Sequence, residues 1–118
     1  MGAYKHLDLA ELEGLAKGDQ AFIRKMLESY CSQSPPFLEK LNNFLQNNDR
    51  ENLRLAAHRL RPSFYYLGRA DMAEILETIE TTYDSMSDDE LKTKTTLVLQ
   101  QATLMLAEAR EALQQENF

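Results

Sequence analysis

The chain has 118 residues, 43% hydrophobic and 27% charged, enough to bury one core, and no apolar run approaches the roughly 20 residues that span a bilayer. Its net charge of −6 argues against a nucleic-acid binder, which would be basic. The lone Cys31 excludes an internal disulfide and reads as a small buried helical residue in a cytoplasmic protein.

Residues 1–7 lack the apolar stretch of a secretory signal, and Met1-Gly2 fails as a myristoylation start because His6 stands where Ser or Thr is needed. His6 itself is expected in a frayed terminus. Asp8 and Glu11 have capping-box spacing and predict a short helix that stops near Lys17-Gly18. Asp19 caps a long second helix carrying Phe22, Met26, Tyr30, Phe37, Leu41 and Phe44 at helical spacing. Pro35-Pro36 should kink that helix or split it. Asn47-Asn48-Asp49 form a turn, with Asp49 capping a third helix that runs to about Leu67 and stops at Gly68. Met72, Ile75, Leu76, Ile79 and Tyr83 make the apolar face of a fourth helix. Ser87 and Glu90 open a fifth, which turns Val98, Ala102, Met105, Ala109 and Ala112 inward and ends in a polar tail, Gln114–Phe118. Nothing alternates with the period of a strand. Short connections between long amphipathic helices predict an all-α fold: an up-down antiparallel four-helix bundle with a short additional N-terminal helix, as one domain over residues 1–118.

The third helix holds the most informative residues. Leu53, Ala56, Ala57, Leu60, Phe64 and Leu67 form its buried stripe, and His58 lies about 140° from Leu53 on the helical wheel. Arg61, Pro62 and Tyr65 share the outward side. Between Arg50 and Arg69 stand five arginines and one acid, Glu51, which suggests an anionic target at this helix.

Counting residues weighs against several chemistries. With two histidines, the chain has no paired Glu-x-x-His motifs for a dimetal bundle, and an outward His58 does not suit haem. Neither a Gly-rich phosphate loop nor a nucleophile elbow is present. An exposed imidazole remains, with Arg61 one turn away and able to pair with a phosphoryl group.

The spacing His58-x-x-Arg61-Pro62-Ser63 followed by Gly68 resembles the histidine-containing phosphotransfer (HPt) domain family. The opening Leu7-Asp8-Leu9, Gly18-Asp19, Ala57-His58 and Leu76-Glu77 extend the resemblance over nearly the whole chain. The resemblance implies a helical bundle that exchanges a phosphoryl group between its histidine and receiver-domain aspartates. It implies no kinase activity, no cofactor of its own and no metal, since the magnesium belongs to the receiver. The implied partners are a receiver domain and a hybrid sensor histidine kinase, with no nucleic acid or membrane contact and a monomeric chain.

By that resemblance His58 is the phosphoacceptor, and Arg61, where lysine is usual, stabilises phosphoryl charge. Ser63 matches a frequent small hydroxyl residue. Glu80, twelve residues after Gly68, stands where a Gln or Glu on the next helix orients the imidazole; the alternative is a solvated surface acid. Pro62 departs from the usual glycine, and it should bend the helix and deprive the His58 carbonyl of its backbone donor. Leu55, Pro62, Tyr65 and Tyr66 lie off the core stripe as a docking patch, with Arg54 and Arg61 bordering it. The competing function is a non-phosphorylated interaction module that docks a signalling partner through the same face.

Overall fold

The structure, a computed structural model, describes residues 4–116 and 118, so Met1-Gly2 and Asn117 of the polar tail lie outside the described residues. Five helices and no strand form among them: α1 (Ala10–Ala16), α2 (Gln20–Gln46), α3 (Arg50–Tyr66), α4 (Ala70–Thr82) and α5 (Asp88–Gln115). Each long helix starts or stops where local chemistry requires it. Asp19 Oδ1 accepts the amides of Ala21 and Phe22, Asp49 accepts that of Asn52, and Ser87 accepts that of Glu90. Each bond satisfies a donor that the first turn of a helix leaves free. Lys17 and Asn48 take the left-handed conformation at the ends of α1 and α2.

Three local expectations change. α1 begins at Ala10 with Leu9 at its cap; Asp8 contributes Oδ1 to the Ala10 amide at 3.0 Å, and no side chain caps the helix at Leu9. α2 runs as one helix through Pro35 and Pro36, so the prolines do not split it in two. α4 ends at Thr82, leaving Tyr83 half-buried at its C-cap.

α2 packs on α3 and α5, and α4 packs on the same two helices, so the four surround one core, while α1 lies against α2 and α3. The bundle measures 44 × 21 × 20 Å, and the 28-residue α5 spans about 42 Å at 1.5 Å per residue, nearly its full length. Leu27, Leu41, Leu53, Phe64, Leu76, Ile79, Val98 and Met105 are fully buried in the core. Burying each such side chain stabilises the fold by about 1.5–3 kcal/mol. Across this core the Tyr30 hydroxyl donates to the Ala102 carbonyl at 2.9 Å, joining α2 to α5.

The segment before α1 is anchored, contrary to the expectation of a frayed His6. Glu108 on α5 accepts the amides of His6 (2.8 Å) and Leu7 (3.1 Å). Asp8 donates its amide to the Leu67 carbonyl at 3.0 Å, and Arg69 donates to the His6 carbonyl at 3.3 Å. Gly68 allows this approach. Its φ is +80°, and a Cβ there would stand 2.4 Å from both Cβ and the carbonyl oxygen of Asp8.

Candidate functional site

α3 and α4 form a helical hairpin joined through Leu67, Gly68 and Arg69, and this register builds the site. Ten residues separate His58 from Gly68, and ten separate Ala70 from Glu80, so both side chains stand about 15 Å from the turn. His58 is exposed, with 65% of its side chain accessible, whereas Glu80 retains only 14%. Glu80 Oε1 lies 2.6 Å from His58 Nδ1, and Glu80 Oε2 accepts from Arg61 Nη1, also at 2.6 Å. Glu80 is thus no solvated surface acid. A carboxylate only accepts, so this contact fits the ring tautomer that carries its proton on Nδ1. The Nε2 lone pair is left free, on an accessible ring.

A family model described as the Hpt domain matches residues 25–116. The chain belongs to that family. Hpt domains are phosphocarrier modules that take part in histidine phosphotransfer in phosphorelays, with receiver domains and kinases as their partners. Searches of curated proteins and of solved structures gave no match.

In this Hpt domain Arg61 is already engaged, by Glu80 and, at 3.8 Å, by Glu77. Glu77 enters the sequence pattern only through the resemblance at Leu76-Glu77, with no role at the site, although Glu77 and Glu80, three apart on a helix, necessarily share a face. Most of the apparent positive charge of α3 is likewise compensated. Arg50 pairs with Asp88 at 2.5 Å and donates to the carbonyls of Tyr83 and Met86. Arg54 pairs with Glu51 and lies over the Tyr83 ring at 5.2 Å, and Arg69 pairs with Asp71. Among the described residues only Arg59 of the five arginines forms no ion pair. The local excess of arginines is therefore a network tying α3 to its neighbours more than a free cationic surface.

Ser63 and Gly68 are not brought to the imidazole. The Ser63 hydroxyl donates to the Leu60 carbonyl at 2.7 Å and lines a groove toward Tyr30 and Ser34 of α2. Gly68 serves the turn and the passage of Asp8. Beside His58 runs another groove, of about 440 Å³, bounded by Arg61, Pro62, Tyr65 and Tyr66 of α3 and by Glu11 and Leu15 of α1. Leu15 is 58% exposed, and Leu55 and Tyr65 are each 45% exposed. The contribution of α1 had no signal in the sequence, because it depends on the anchored segment folding back to α3.

Several ionisable groups are displaced from their ordinary behaviour, among them the Tyr66 phenol in the groove beside His58, which burial raises. Burial is the main cause of the upward shift in the Tyr30 phenol, and burial also raises the Cys31 thiol. Neither Tyr30 nor Cys31 lies among the residues gathered around His58. Among the described residues, no three His, Cys, Asp or Glu side chains gather as a metal-binding group, and no helix is long and apolar enough to cross a membrane.

Proposed function

We propose that this chain is a phosphorelay intermediate in which His58 accepts a phosphoryl group from a receiver-domain aspartyl phosphate and returns it to a receiver aspartate. The observation that carries this reading is an imidazole 65% exposed whose Nδ1 is bound by Glu80, which leaves Nε2 as the nitrogen available for attack. Nε2 attacks phosphorus with its lone pair, the acyl oxygen–phosphorus bond breaks, and the electron pair leaves with the receiver carboxylate. The proton on Nδ1 stays in its bond to Glu80, whose negative charge stabilises the cationic phosphoimidazolium. Transfer onward is the reverse reaction on another aspartate. The chain needs no kinase activity for either direction.

In the same reading residues 1–118 form one domain, an up-down antiparallel four-helix bundle acting as a cytoplasmic monomer. A receiver covers the groove beside His58, touching Leu55, Pro62 and Tyr65, while Arg54 and Arg61 border its approach. The second reading, an interaction module without phosphorylation, is supported by the exposed Leu15, Leu55 and Tyr65.

The deciding experiment is incubation with a phosphorylated receiver and with a small phosphoramidate donor, followed by detection of acid-labile phosphate. Uptake by the wild type and none by His58→Gln, with an unchanged melting curve, is the expected result. Receiver binding without uptake from either donor establishes the interaction module instead.

A further inference from the structure

Glu80 uses both of its oxygens on α3, one on His58 and one on Arg61. The residue after Arg61 is Pro62, inside the helix. In a regular helix the amide of position 62 would donate to the His58 carbonyl, and proline has no N–H to give. The backbone ladder therefore lacks its rung at the turn that carries the imidazole. That same turn is spanned from outside by side chains, since positions 58 and 61 are both fastened to one carboxylate of α4.

We infer that Arg61 is a positioning residue whose pair with Glu80 replaces the missing rung. It holds the 58–62 turn against α4 and fixes the Nδ1–H tautomer of His58 before any phosphoryl group arrives. A glutamate side chain loses about 1.5–2 kcal/mol of rotamer freedom when it is fixed. Arg61 imposes that order on Glu80 in the resting protein, so His58 meets a carboxylate already in place. The inference rests on the phosphotransfer reading only for its consequence, that Nε2 is the attacking nitrogen.

Transfer rates do not separate this role from phosphoryl stabilisation, because loss of Arg61 slows transfer in either case. The unphosphorylated ring does separate them. Nitrogen-15 NMR of the His58 imidazole at alkaline pH, where the ring is neutral, reads the ratio of Nδ1–H to Nε2–H forms. The wild type should be mainly Nδ1–H, and Arg61→Gln should lower the ratio about fivefold or more. Arg61→Lys, which keeps one donor and the charge, should fall between them and serves as the test should Arg61→Gln melt early. Pro62→Ala restores the backbone donor, so the double variant Pro62→Ala/Arg61→Gln should recover at least half of the loss. An unchanged ratio in Arg61→Gln and Arg61→Lys overturns the positioning role. A double variant no better than Arg61→Gln overturns the compensation for proline. Both results are independent of whether His58 is ever phosphorylated.

Discussion

Removing the Glu80 carboxylate tests the chemistry of the site most directly. In the phosphorylation transition state the imidazole gains positive charge, and the Glu80 oxygen stands 2.6 Å from its Nδ1. Unit charges about 4 Å apart interact by roughly 4 kcal/mol at an effective dielectric of 20 and by about 1 kcal/mol in water. The ring is 65% exposed, which moves the value toward the lower figure, while Glu80 at 14% exposure moves it back. Arg61 on the other oxygen also offsets part of the attraction. An interaction of about 1.5–3 kcal/mol follows, in line with hydrogen bonds to charged groups. Glu80→Ala should therefore slow phosphoryl uptake by about 10- to 100-fold. Glu80→Gln, which keeps an acceptor oxygen without the charge, should lie between the two. The assay is the initial rate of acid-labile phosphate formation from phosphoramidate, which needs no receiver and so leaves docking out of the measurement. A Glu80→Ala rate within about twofold of the wild type, in a folded protein, refutes the reasoning, since the transition state would then gain under about 0.5 kcal/mol from the carboxylate.

Gly68→Ala places a Cβ 2.4 Å from Asp8 at a φ of +80°, so it should destabilise the fold by about 2–4 kcal/mol in urea unfolding. Uptake from phosphoramidate at low temperature should persist, because Gly68 does not touch the ring. The raised Tyr30 phenol, caused mainly by burial, means that the unfolded chain ionises first as pH rises. Its contribution is fully present below about pH 10 and is lost progressively above it. Tyr30→Phe should cost about 1 kcal/mol at neutral pH through the lost bond to Ala102 and should flatten the alkaline decline in melting temperature. Tyr65→Ala, at an exposed position beside the groove, should weaken receiver binding by calorimetry while leaving the phosphoramidate rate unchanged. Equal affinities would place docking on another face of the bundle.

The residue sequence by itself determined the helices, the N-caps of α2, α3 and α5 and the outward placement of His58. These depend on the 3.6-residue period and on short-range groups such as Asp19, Asp49, Ser87 and Gly68, which act within a turn of where they stand. The candidate site was legible in part, since His58 and Arg61 share a helix and their spacing alone puts them within a turn of each other. Only the tertiary structure decided what they meet. Glu80 reaches the imidazole because the hairpin turn sets α4 at matching height, and that register belongs to two helices packed together. The same packing committed Arg61 to Glu80 and Arg50 to Asp88, each on another helix, although along α3 alone they read as nearly unopposed charge. Anchoring of His6 and Leu7 by Glu108 joins residues about 100 positions apart, beyond the reach of any local pattern. That anchor is what brings Leu15 to the edge of the His58 groove, because a short helix has no fixed place until tertiary bonds hold its flank.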